Sequence, residues 1–312
     1  MSDIDNRVVM YYQTHYRNGA FVSPLPMIGY VTHVLLAAFH LNMGNVGPDI
    51  VHLNDYMPSA DYFAPMWPEL AQVQGNGTKV MGMLGGAAGG TYDCLTDELF
   101  DTYYPPLRDV ILDYNLDGMD LDVEQWVSPA VIERIITTMK SDFGDEFIIT
   151  LAPVATALTE GGNLSGFNYI DLEAKLGHLI SFYNAQFYSG FGSFFPEDQY
   201  VKIVEYEQGI DPGRITATVL TNSANGYGYI STDSVVASIK NLMTKYGTQW
   251  GGVGGWEYFN SLPDSSQPWQ WAVTMKEAMA VQKAKMLKAA KEKESREEEN
   301  RKEKVNSRMF RL

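Results

Sequence analysis

At 312 residues the chain is long enough for two average domains or one large α/β barrel, and 45% hydrophobic with 12% aromatic residues supplies a substantial core. A formal net charge of −15 argues against nucleic acid or any other polyanion as a partner. The single cysteine, Cys94, excludes an intramolecular disulfide, and no apolar run approaches the length of a membrane span.

The N-terminal MSDIDNRVVMYY has no basic segment followed by an apolar stretch. That predicts a cytoplasmic protein, or a secreted one if a leader has been trimmed. Eight short apolar, β-branched runs follow in order: VVMYY (8–12), HVLLAAF (33–39), KVMGML (79–84), GMDLDVE (118–124), FIITLAP (147–153), ISFYNAQFY (180–188), ITATVL (215–220) and GGVGGWEYF (251–259). Helical patterns separate them. In SPAVIERIITTMKSDF, Ser128 is placed as an N-cap with Pro129 at the first helical position. In STDSVVASIKNLMTKYG, Ser231 is placed to cap and Gly247 to stop the helix. Strand signals alternating with helices over some 250 residues predict a (β/α)8 TIM barrel. An open doubly wound sheet is the rival, but LGGAAGG (84–90) does not spell its phosphate-binding turn.

The last helical pattern carries Trp271, Met275, Ala278, Met279, Gln282 and Met286 on one face, and that face fades at Met286. The expected organisation is therefore one barrel-sized domain, 1–290, and a charged tail, 291–312, either helical or disordered. Residues 281–312 hold eleven Lys or Arg against six Asp or Glu, a net of +5, which leaves −20 on residues 1–280. Such a charge run reads first as a solvated segment.

LDGMDLDVEQ (116–125) is the stretch that asks for chemistry. Strand alternation puts Asp120, Asp122 and Glu124 on one face, inside the barrel, and Met119, Leu121 and Val123 on the other, against helices. Glu124 lies toward the carboxyl end, the mouth where such barrels hold their sites. Carboxylates crowded in a poorly solvated pocket cannot all ionise, so one keeps a proton and can serve as a general acid. An ion-pair network or a divalent-metal site is the alternative. Yet the neighbouring sequence offers no basic partners, and one strand face presents too few oxygens for a metal cage. The five histidines form no zinc-binding pattern, and no GxSxG elbow is present. Neither a metal nor a cofactor is expected.

Asp117-Gly118-x-Asp120-x-Asp122-x-Glu124 resembles the DGxDxDxE signature of family 18 glycoside hydrolases. Leu84-Gly85-Gly86 is similar to that family's SxGG element, with Leu84 a loose match. LAP at 151–153, Asn184-x-Gln186-Phe187-Tyr188 and Gly255-Trp256-Glu257 are similar to its fifth, sixth and eighth strand ends. The resemblance spans about residues 7–280, and VMGMLGGAA, NLSGFNY, QFYSGFGS and GGWEYFNSLP look like small fungal endo-β-N-acetylglucosaminidases. It does not cover the tail.

The resemblance implies cleavage between the two core N-acetylglucosamines of an N-linked glycan on a glycoprotein, with transglycosylation; a monomer is expected. In that family the sugar's own acetamido oxygen is the nucleophile. Glu124 would then be the acid and base, and Asp122 would orient the acetamide. Asp120 would share a proton with Asp122, and Asp117 would be structural. Tyr188 would donate to the acetamido oxygen. Asn184, Gln186, Trp256, Glu257, Tyr12, Gly85 and Gly86 would line the substrate site, with Trp256 as its floor. A chitinase built on the same core is the alternative reading, and a non-catalytic lectin on the same barrel is a third. Lectins of this kind usually lose the terminal glutamate, which is present here.

Overall fold

In the computed structural model, which describes residues 6–309 except 160 and 208, every one of the eight apolar runs contains a strand. They are β1 (Arg7–Tyr12), β2 (His33–Leu41), β3 (Lys79–Gly85), β4 (Gly118–Asp122), β5 (Ile148–Leu151), β6 (Phe182–Gln186), β7 (Ile215–Leu220) and β8 (Gly252–Trp256). Consecutive strands pair in parallel, and β1 pairs with both β2 and β8, so the sheet closes into the expected barrel.

Parallel neighbours need crossovers, and a helix is the usual one. The links from β2 onward carry α1 (Met66–Gly75), α2 (Phe100–Asp113), α3 (Pro129–Phe143), α4 (Tyr169–Leu176), α5 (Asp198–Val204) and α6 (Thr232–Tyr246), and α7 (Gln270–Met309) follows β8. The β1–β2 link departs from this rule. It holds a two-stranded ribbon, Tyr16–Arg17 with Ala20–Phe21, and one short turn of 3-10 helix, Leu25–Met27. Pro24 and Pro26 each lack an amide N–H, which works against a longer helix there.

Local signals explain most helix ends. The Ser231 hydroxyl accepts from the Ser234 amide, and Gly247 ends α6 with φ of 70°. Ser128 does sit at the N-cap of α3, but its side chain makes no capping bond, so Pro129 alone marks that start. The α3 face of Val131, Ile132, Ile135, Ile136 and Met139 is buried against the barrel, each side chain contributing roughly 1.5–3 kcal/mol relative to exposure. The core has two layers. Helices pack on the outside of the sheet, while Val9, Tyr11, Leu35, Ala37, Met81, Met83 and Phe182 fill the inside.

α7 buries Trp271, Ala272, Met275 and Met279, Met286 packs partly against the core, and every residue from Leu287 to Arg301 is exposed. The helix crosses position 290 without a break; the last part of the expected tail, 310–312, lies outside the described residues. Among the described residues no helix is long and apolar enough to cross a membrane.

Candidate active site

Asp117 fixes the start of β4. Its carboxylate accepts from the Val80 amide (2.8 Å), the Gln74 side chain (2.7 Å) and the Lys79 ammonium (3.0 Å), all outside the barrel. Strand alternation then carries Asp120 and Asp122 inward. Asp120 is fully buried and accepts from three neighbours: Tyr11 of β1 (2.9 Å), Thr150 of β5 (2.5 Å) and Asn184 of β6 (3.0 Å). One layer above, Asp122 accepts from the Gln186 amide at 3.0 Å. β4 ends there, two residues before the end of the predicted run. The next carbonyl, that of Val123, accepts from the Ser165 hydroxyl (2.6 Å) instead of from a strand. Glu124 therefore stands on the loop at the mouth, and the same Gln186 nitrogen reaches its carboxylate at 3.3 Å.

Electrostatics follow from this stack. Burial holds the Asp122 carboxyl well above the usual carboxylate range; the Glu124 and Asp120 charges push it further, against a smaller opposing pull from Gln186. Burial also raises Glu124, again opposed by Gln186. Asp120 is raised by burial, but its Thr150, Asn184 and Tyr11 donors favour the charged form. Such crowding favours keeping a proton, and that proton belongs to the coupled group rather than to one residue. Asp120 and Asp122 are linked through this field.

A cavity of about 320 Å³ opens above Asp122 and Glu124, walled by Gly85, Gly86, Gln186, Tyr188 and Trp256. Gly85 has φ of 93°, and a Cβ there would stand 2.5 Å from the Asp122 carbonyl. Only glycine lets β3 pass so close beneath the acid. The Gly86 amide then donates to that same carbonyl at 2.9 Å. Trp256 meets the Tyr11 ring edge-on, centroids 5.3 Å apart, which holds the indole at the pocket wall.

A fungal endo-β-N-acetylglucosaminidase from glycosyl hydrolase family 18 is 43% identical to this chain, with a TM-score of 0.82 over 87% of this chain and 97% of that one. The chain belongs to glycosyl hydrolase family 18. The chitinase ChiC from Aspergillus fumigatus is 45% identical, with a TM-score of 0.78 over 88% of this chain and 99% of that one. Endochitinase 4 of Metarhizium robertsii is 23% identical over 239 residues, 62% of this chain and 68% of that protein. No family model matches the chain.

Not every residue that the family 18 resemblance points to reaches the pocket. Glu124, Asp122, Tyr188, Gln186, Trp256, Gly85 and Gly86 line it. Asp120 and Asn184 lie a layer beneath, where Asn184 holds Asp120 and the Thr150 hydroxyl. Asn184 is therefore a support and not a wall. Glu257 is turned away: its carboxylate takes the Gln13 and Thr14 amides and the Thr14 hydroxyl, fixing the loop after β1. Tyr12 also points outward, donating to the Val22 carbonyl. Its neighbour Tyr11 faces the acids in its place. In VVMYY both strand faces are apolar, so alternation gives no parity signal there. Gln13, His40, Leu164 and Phe191 also wall the pocket, and sequence reading did not select them. Leu164 and Phe191 lie within NLSGFNY and QFYSGFGS, whose likeness to the family singles out no wall residue, while Gln13 and His40 sit at strand ends outside those stretches.

Proposed function

We propose that this family 18 glycoside hydrolase is an endo-β-N-acetylglucosaminidase that cuts the β-1,4 bond between the two core GlcNAc residues of N-linked glycans. The observation that carries the chemistry is the Gln186 amide, anchored on the Ala152 carbonyl at 2.8 Å, which brings Asp122 and Glu124 within its reach on the pocket floor. It sets a proton-holding pair beside one sugar-sized cavity. Glu124 gives its proton to the glycosidic oxygen as the bond to the anomeric carbon breaks, and the substrate's acetamido oxygen closes on that carbon. Asp122 accepts from the acetamido N–H and offsets the positive charge of the oxazolinium. Tyr188 donates to the acetamido oxygen, and Trp256 carries the sugar face. Glu124, now a base, takes a proton from water or from an acceptor sugar, which reopens the ring with retention. The acceptor case is transglycosylation.

Two features support an N-glycan as substrate. The endo-β-N-acetylglucosaminidase match has the higher TM-score, 0.82 against 0.78 for ChiC. The pocket also continues, at Gln13, His40 and Ala88, into a second open cleft of about 560 Å³ with a polar wall that includes Asn42, Asn54 and Asp55. A two-lobed mouth gives a branched glycan room that a linear polymer does not need. The 45% identity to ChiC supports the second reading, a chitinase.

One experiment separates them. The protein is incubated with an N-glycoprotein and, separately, with chitin oligomers, and the products are weighed. A single GlcNAc left on asparagine, with oligomers little touched, is the expected outcome. Chitobiose released from oligomers with the glycoprotein intact would establish the chitinase instead. Binding of either substrate without cleavage would establish a lectin.

A further inference from the structure

Trp126 lies two residues beyond Glu124 and is 81% exposed, an unusual place for the largest apolar side chain. Its surroundings hold it in place. Gly166, with φ of 79°, lies directly against the indole, so that a Cβ there would come within 2.7 Å of the ring. The segment carrying Gly166 is tied to the protein on both sides of Glu124. The buried Ser165 hydroxyl donates to the Val123 carbonyl (2.6 Å), and the Ser165 carbonyl accepts from the Val127 amide (3.0 Å). Asn163 stiffens the same segment by accepting from the Ser165 amide (2.8 Å) and donating to the Phe167 carbonyl (2.5 Å). One side of the indole is thus backed by protein, while most of the ring faces solvent.

We infer that Trp126 is the platform for the sugar on the leaving-group side of Glu124, the GlcNAc that departs in cleavage and arrives in transfer. The inference rests on Glu124 as the proton donor. Asp122, Tyr188 and Trp256 occupy the pocket that takes the reacting sugar. The sugar bonded to it must then lie past the Glu124 carboxyl. Trp126 follows there, two residues on and just past a bend at Gln125. Leu164, from the segment that backs the indole, continues the pocket wall toward it. The apolar face of a pyranose stacks well on an indole, and a ring already fixed in place loses little entropy when the sugar lands. Ser165 and Gly166 act here as positioning residues, holding Trp126 and the Glu124 loop as one unit.

The test uses the full chain with preformed sugar oxazolines, one of N-glycan type and one of chitobiose, and GlcNAc-asparagine as acceptor. The donor that reacts reports on the proposed substrate. The acceptor concentration for half-maximal transfer, set against loss of oxazoline to water, reports on Trp126. Trp126→Ala should raise that concentration about three- to tenfold, the scale of one aromatic contact, and Trp126→Phe should restore most of it. An unchanged acceptor requirement in Trp126→Ala, or a parallel fall in transfer and in loss to water, would overturn the inference. Titration of Glu124→Gln protein with GlcNAc-asparagine, read by tryptophan fluorescence, probes the same contact without turnover. A change that disappears in the Glu124→Gln, Trp126→Phe double variant supports the platform; a change that persists there, or none in Glu124→Gln, counts against it.

Discussion

Because Asp122 and Glu124 accept from one amide nitrogen, substitution at either should have a distinct chemical signature. Glu124→Gln keeps the shape and loses the proton, so hydrolysis should fall by roughly 10²–10⁴-fold while sugar binding, read by calorimetry, survives. More than about a tenth of the parent rate would remove Glu124 from the role of acid. Asp122→Asn should impair formation of the oxazolinium far more than its use, because Asn hydrogen-bonds but cannot offset the developing charge. Transfer from a supplied oxazoline to a GlcNAc acceptor should then survive in Asp122→Asn, and not in Glu124→Gln. Equal losses of hydrolysis and oxazoline transfer in Asp122→Asn would refute its part. The same residue predicts a pH effect on stability. The Asp122 carboxyl is raised by burial and then by its neighbours' charges, so the folded protein binds its proton more tightly than the unfolded chain does. That contribution is complete below the ordinary carboxylate range and is lost as pH rises through the raised value. The parent Tm should therefore decline across that window, and Asp122→Asn, with no charge to bury, should show a flatter profile and a higher Tm at neutral pH.

At the scale of elements, β3 and β4 make the site by close approach, and Gly85 is the point of contact. Gly85→Ala would need a left-handed backbone that costs an L-residue about 1–3 kcal/mol, and its methyl would press on the Asp122 carbonyl and the Tyr92 ring. The expected result is a lower Tm together with a fall in kcat of about 10²-fold, since a displacement near 1 Å at the acid is enough for that. Unchanged kcat in a folded variant would show that β4 does not depend on this approach. The strands and their inward acids were legible in the sequence because Asp120 and Asp122 alternate with Met119 and Leu121, an unambiguous period of two. β1 was legible as a strand but not in its facing, since Val, Met and Tyr suit either side. Asn184 and Glu257 belong to sequence stretches that do reach the site. Their burial with protein partners depends on which carbonyls, amides and hydroxyls the finished barrel brings beside them. The ribbon between β1 and β2 hid for another reason: its strands are only two residues each, too short for any periodicity.

At the scale of the whole molecule, the acidic barrel carries an appended helix of opposite charge, and the question is whether that helix contributes to the fold. Isolated helices of such polar composition are marginal in water, so this one depends on the packed segment from which it extends. Among the described side chains of α7, Trp271, Met275 and Met279 pack on the core, with Met286 as the last partly buried contact. From Leu287 to Arg301 the side chains are exposed, so removing 291–312 withdraws no described apolar surface from the core. Deletion of 291–312 should leave Tm within about 2 °C of the parent, because even 1 kcal/mol would shift a domain of this size by roughly 2–4 °C. Turnover should also be unaffected, since the site lies at the carboxyl ends of the strands and none of the described residues of 291–312 lines its pocket. Met275→Ala gives the contrast within the same helix. It opens a cavity under a fully buried side chain and should cost about 2–5 kcal/mol, a plain loss of Tm by calorimetry. A deletion that lowered Tm as far as Met275→Ala does would place structural weight beyond Met286 and move the end of the folded unit into the tail.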